Sequence, residues 1–88
     1  FLKTVDSDAP SRVLMEVYPN PTNHKMTVRY NIPLAEVTIW SVVGEKLYES
    51  AESSSFEVDL SPYHAGVYLL QVQSMNGKLK QIRRIVKY

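Results

Sequence analysis

Lys25-Met26-Thr27-Val28-Arg29-Tyr30 is the stretch that decides the fold. In an extended chain, successive side chains point to opposite faces. Met26, Val28 and Tyr30 therefore share one face, and Lys25, Thr27 and Arg29 share the other. This period of two marks a half-buried strand. Ser54 to Leu60 repeats it, with Phe56, Val58 and Leu60 opposite Ser55, Glu57 and Asp59. Ala35 to Val42 puts Val37 and Ile39 inward and Glu36 and Thr38 outward, and Glu45 to Ser50 is shorter, with Leu47 inward. Arg12 to Tyr18 reads as the first strand, Gly66 to Met75 as the most apolar one and Lys78 to Tyr88 as the last. Nothing keeps a helical period for longer than a turn. About seven short strands at roughly 8–12-residue spacing predict an all-β, immunoglobulin-like antiparallel sandwich. Its expected core is Val28, Val37, Ile39, Leu47, Phe56, Val58, Leu60, Leu70 and Val72.

The turns agree with this pattern. Asn76-Gly77 lies between two strand patterns and predicts a type I′ hairpin, whose two central residues need positive φ. Gly44 gives the same freedom between Val43 and Glu45. Pro33 and Pro62 are expected between strands, where no ladder N–H is lost. Glu52-Ser53-Ser54-Ser55 reads as a polar loop. Residues 1–11 are mixed and polar and read as a linker or a loosely attached first strand, and residues 12–88 as a single sandwich domain.

The 88 residues suffice for one domain, and a chain this short buries only about 60% of the surface it exposes when unfolded. That leaves little room for a deep substrate cleft. Hydrophobic residues at 44% and charged residues at 22% fit a folded domain. The net charge of +1 names no partner, but its distribution is uneven. Five of the ten Lys and Arg residues, Lys78, Lys80, Arg83, Arg84 and Lys87, fall at the end with no acid among them. The chain has no cysteine, hence no disulfide and no thiolate chemistry. Its longest apolar run, Val67 to Leu70, is far short of the roughly 20 residues that span a bilayer as a helix. Phe1-Leu2-Lys3-Thr4-Val5-Asp6 turns polar at once and is not a signal peptide. The start at Phe favours a segment excised from a longer protein.

No catalytic or metal constellation emerges, so the chain reads as a non-enzyme without a cofactor. His24 and His64 are the only histidines and stand forty residues apart. His64 follows Asp59 and Ser61, the residue types of a triad, but a triad needs geometry that a crowded loop does not provide. Asp6-Ser7-Asp8 lacks the glycine and distal glutamate of a calcium loop. The three glycines are isolated and cradle no phosphate. The basic last strand has only Tyr88 for company, too few stacking aromatics for nucleic acid.

Two surfaces stand out. If Val37 and Ile39 point inward, Trp40 and Val42 point outward, and Val67 and Leu69 sit opposite Tyr68, Leu70 and Val72. Such an exposed apolar cluster marks a partner surface, unless Trp40 folds over the edge or is covered by the N-terminal segment. The last strand alternates poorly, with Ile82 and Val86 on one parity and Leu79 and Ile85 on the other. It is therefore buried on both faces, bulged near Arg83-Arg84, or shaped to meet a partner. Open sheet edges further predict a strand-swapped homodimer when the domain is isolated.

One ordered set of pieces remains. Val17-Tyr18-Pro19-Asn20-Pro21 closes the first strand, and Val37-Thr38-Ile39-Trp40 leads to Gly44. Leu60-Ser61 precedes Gly66-Val67-Tyr68-Leu69-Leu70, Gly77 turns the last hairpin, and the chain ends Arg83-Arg84-Ile85-Val86-Lys87. Pro19 and Pro21 fix φ and remove two N–H donors, so the strand stops and the chain crosses over. In this order the set resembles the C-terminal domain of cargo proteins of the type IX secretion system of Bacteroidota, over roughly Val17 to Lys87. Trp40, Ser41 and Pro62-Tyr63-His64 depart from the family's usual residues. The resemblance implies an immunoglobulin-like sandwich that is recognised in the periplasm by shuttle or translocon components. It implies passage with the cargo across the outer membrane to the cell surface or the medium. Removal by a sortase-like cysteine peptidase follows, commonly with transfer of the cargo to a surface lipopolysaccharide. The cut is expected within or upstream of Phe1 to Ser11, and the recognised signal at Arg83, Arg84, Ile85, Val86 and Lys87. Pro19, Asn20, Pro21, Gly44, Gly66, Tyr68 and Gly77 are expected to be structural. The competing reading is an immunoglobulin-like adhesion or carbohydrate-binding module, since fold alone does not choose a function.

Overall fold

Lys25–Ser41 forms one unbroken strand of 17 residues that runs through both layers of the fold. A computed structural model of the chain describes residues 12–88. The linker and the cleavage region expected over residues 1–11 lie outside them. The strands are β1 (Met15–Tyr18), β2 (Lys25–Ser41), β3 (Lys46–Asp59), β4 (Gly66–Ser74) and β5 (Lys80–Lys87). All the pairings between them are antiparallel. The N-terminal part of β2 pairs with β1 on one side and with Ser55 to Asp59 of β3 on the other. Its C-terminal part pairs with the first half of β3 and with β4, and β5 adds to β4. The two halves of the long β2–β3 hairpin thus belong to two different layers.

The fold is an immunoglobulin-like antiparallel sandwich, with five strands where about seven were expected. Pro33 and the Glu52–Ser55 run explain the difference. Pro33 lies inside β2, at the shift of register between Arg29 and Leu34. A proline costs a ladder hydrogen bond only where the ladder is intact, so there it bends the strand without ending it. Across the bend, Glu52 to Ser55 stays within β3 and forms no loop. The buried Tyr30 hydroxyl donates to the Glu52 carbonyl at 2.7 Å and ties the two strands together.

The inner faces of both layers meet in one cluster. Met26, Val28, Val37, Ile39, Leu60, Leu70, Val72 and Ile85 are its largest fully enclosed side chains. Each apolar side chain of this size contributes about 1.5–3 kcal/mol on burial. Two expected core residues, Leu47 and Phe56, are only half-buried against this cluster. Leu47 sits in the irregularity where Ile39 faces Tyr48 but Trp40 faces Lys46. Phe56 lies on β3, which has β2 on only one side, and meets Tyr30 edge to face at 6.2 Å.

The β4–β5 hairpin also differs in detail. Gly77, at φ 77°, is the last residue of a turn closed by its N–H on the Ser74 carbonyl at 2.8 Å. Ser74 N–H then bonds Leu79 O, so four residues bridge the strands and the two-residue type I′ turn does not form. The Asn76 side-chain oxygen Oδ1 explains the preference for this loop, since it accepts from Ser74 Oγ and from Lys78 N–H. Along β5 the register to β4 holds from Gly66–Lys87 to Gln73–Lys80, so there is no bulge at Arg83-Arg84.

Candidate recognition surface

The Pro-Asn-Pro segment and the C-terminal strand, far apart in sequence, form one structure. The outer edge of β5 carries main-chain groups that β4 cannot reach. Prolines at 19 and 21 have no N–H to offer them, and both X-Pro bonds here are cis. The Asn20 side chain takes over. Its Nδ2 donates to Arg84 O at 3.1 Å, and its Oδ1 accepts from Val86 N–H at 3.0 Å. Thr22 continues the ladder with its backbone, donating to Val86 O at 3.0 Å and accepting from Tyr88 N–H at 2.9 Å. The side-chain amide therefore acts as the first rung of a parallel bridge that Thr22 completes with Lys87. Thr22 is buried, and its hydroxyl donates to Lys25 O at 2.7 Å, which fixes the approach to β2. Asn31 repeats the device at the other end of the layer. It donates to Arg12 O and accepts from Leu14 N–H.

The basic residues of β5 point to different sides. Arg83 is on the inward side and reaches across to β1, donating to Met15 O at 2.9 Å. It borders a shallow groove of about 390 Å³ between β1, the bend of β2 and β5. Arg84 is exposed on the outer face, and Ile85 between Arg84 and Val86 is fully buried. Val86 and Lys87 are half-buried, and the Lys87 ammonium reaches Tyr88 O at 3.3 Å. The mixed alternation of the strand thus has a plain cause. Ile85 faces the core, while Ile82, 48% exposed, and Val86 face outward.

On the outer face, Lys46, Trp40, Leu69 and Arg84 line up as directly paired residues across β3, β2, β4 and β5. Val67 and Val86 pair in the next row. Trp40 and Leu69 are half-buried, and Val67 is 38% exposed. Val42 lies past the end of β2, in the turn that Gly44 closes at φ 91°, and is well exposed. The Lys46 ammonium stands 5.5 Å from the Trp40 ring centre and 3.3 Å from Glu49. Thr38, expected outward, is nevertheless buried between Glu49 and Gln71.

The remaining motif residues support the frame. Gly66 opens β4. Tyr68 is buried, donates to His64 O at 2.5 Å and packs against the Tyr63 ring at 5.8 Å. The Asp59 carboxylate is held below its usual pKa by Ser61, through its side chain first and then its N–H, which donates to Oδ1 at 2.9 Å. Among the described residues, no three His, Asp or Glu side chains gather as metal ligands. Sequence reasoning treated Asn20 and the β5 ending as separate and passed over Thr22 and Asn31. The one available signal was an asparagine between two prolines, which leaves the side chain as the local hydrogen-bonding group.

Fold and clasp together define a small immunoglobulin-like sandwich whose last strand is locked by its first crossover. Residues 16–88 match the family described as the secretion system C-terminal sorting domain. The chain belongs to that family, and it carries a sorting signal of the type IX secretion system. It is 30% identical over 86 residues to the ulvan lyase NLR42 of Nonlabens ulvanivorans, covering 94% of this chain and 16% of that protein. Its fold is similar to part of the structure of PorZ, a surface component of the type-IX secretion system of Porphyromonas gingivalis. That likeness has a TM-score of 0.65 and 24% identity, and covers 84% of this chain and 11% of that one. The chain thus spans a small fraction of either protein.

Proposed function

We propose that this chain is a C-terminal export signal that directs an attached cargo across the outer membrane and is then cut off. Residues 12–88 are the signal domain, and residues 1–11 are the tether in which, or before which, a sortase-like cysteine peptidase cuts. The domain passes through the periplasm, meets shuttle or translocon components, and reaches the cell surface or the medium with its cargo before removal. It is a substrate and performs no chemistry itself. The observation that carries this reading is the sorting-domain match over residues 16–88. The architecture supports it: the ending from Arg83 to Lys87 is held in a fixed conformation by Asn20, Thr22 and β4, as a recognised ending requires.

The test is a fusion of the chain to the C-terminus of a periplasmic reporter, in a bacterium that has the secretion system. Export of the reporter with loss of the tail is expected. Retention of the fusion in the periplasm, as for reporter alone, would overturn the reading.

A further inference from the structure

We infer that the outer face of β2, β4 and β5 around Trp40, Leu69, Val86 and Arg84 docks a protein that presents acidic side chains beside an apolar surface. This deepens the export-signal reading and rests on it, because it names the surface that is recognised and the chemistry of what recognises it. The apolar part is continuous by register: Trp40 pairs with Leu69, and Val67 pairs with Val86. Trp40, Leu69 and Val86 are half-buried and Val67 is exposed, and contiguous apolar side chains left open to water on so small a domain mark a contact surface. Charge then selects the partner. Lys80 and Arg84 stand on this face of β5 without an acid in the strand, and no acid among the described residues forms an ion pair with them. At the opposite end of the row, on the first half of β3, Lys46 is already paired with Glu49 at 3.3 Å. An acidic partner is attracted to the unpaired cations on the β5 side of the face and not to the neutralised pair at its β3 end, which fixes the orientation of docking.

The same row argues against a second copy of the chain. It reads Lys46, Trp40, Leu69, Arg84, with a cation at each end. Two copies stacked face to face about a two-fold axis along the row set Arg84 on Arg84. An axis along the strands sets Arg84 on Lys46. Like charges meet in both cases, which opposes an isologous contact.

The reporter fusion tests this with Leu69→Gln, Arg84→Glu and Arg84→Lys, and with Glu57→Lys, on the part of β3 that belongs to the other layer, as a control. Export is expected to fall about tenfold or more for Leu69→Gln and Arg84→Glu and to stay near normal for the other two. The melting temperature of the 88-residue chain is measured for each variant. If Leu69→Gln unfolds, the two Arg84 variants decide, because Arg84 is exposed and makes no side-chain hydrogen bond among the described residues. Normal export of Arg84→Glu, while the unchanged tail still exports, overturns the docking surface and leaves the export reading standing. Failure of the unchanged tail overturns both. Binding of the chain to phosphatidylglycerol vesicles that is lost in Arg84→Glu assigns the face to lipid and overturns the protein partner. Dimers that Arg84→Glu disperses assign it to a second copy and overturn it too.

Discussion

Asn20 is the strand neighbour of Val86. Its side-chain amide meets the Val86 N–H and the Arg84 carbonyl, the two groups that a parallel strand would have bonded. A single side chain between two prolines thus does what the backbone there cannot do. It also divides the sheet edges into covered and open ones. The edge from Arg84 of β5 to Tyr88 just beyond it is capped, whereas β3 pairs only with β2.

Removing that amide should loosen the last strand. Asn20→Ala gives up two exposed hydrogen bonds, a loss of about 1–2 kcal/mol. Urea melts measure it, and hydrogen exchange at Val86 should accelerate more than at Ile39. The uncapped edge should also increase strand-exchanged dimers, visible by light scattering. Unchanged exchange at Val86 would contradict the clasp.

Arg83 and Arg84 are neighbours with different jobs. Arg83→Gln breaks the charged bond to Met15 O and should cost about 1–2 kcal/mol, since the site is partly open to water. Arg84→Gln should stay within about 0.5 kcal/mol of the parent. Replacing all the charges of the ending together mixes these effects, so the single variants are the informative ones. Equal destabilisation by the two would contradict the geometry.

Truncations in the core should follow burial and not size. Ile85 and Leu70 are fully enclosed, so changing either to Ala should cost about 2–5 kcal/mol. Phe56 is larger but half-buried, and Phe56→Ala should fall at or below about 3 kcal/mol. Denaturant midpoints rank the three.

Alkaline pH should destabilise the fold. Burial, and then the charge of Glu52, push the Tyr30 hydroxyl up to about 12. Burial also raises Tyr48, with help from its bond to Glu52. In the unfolded chain both tyrosines ionise near about 10. Above that value the unfolded chain loses its protons first, so stability is full below about pH 10 and declines toward about pH 12. Urea midpoints across this range should fall for the parent and fall less for Tyr30→Phe. A flat profile would contradict the assignment.

Trp40 should report a half-covered indole. Its fluorescence should be partly quenched by iodide, which the nearby Lys46 ammonium attracts. Lys46→Glu should weaken that quenching. Emission that iodide cannot touch would show that the ring is covered.

Much of the architecture is legible in the residues because alternation is local. Met26, Val28, Val37, Ile39, Leu70 and Val72 follow the period of two and are buried. Strand continuity was harder to see. Pro33 looks like a break because a proline removes a donor, but only the register shows that the donor falls where the ladder is interrupted. The tie between Asn20 and β5 could not be seen at all, since its partners stand 64 and 66 residues away. The charge bias of the last strand was visible, but the division of labour between Arg83 and Arg84 depends on the position of Met15 O.

The clasp also makes the domain a test of its own completeness. A chain that stops before Arg84 leaves Asn20 and Thr22 with nothing to hold and bares the edge of β4 from Gly66 to Leu69. It also never assembles the row that ends at Arg84. Loss of the last strand therefore removes the clasp and the Arg84 end of the row in one step.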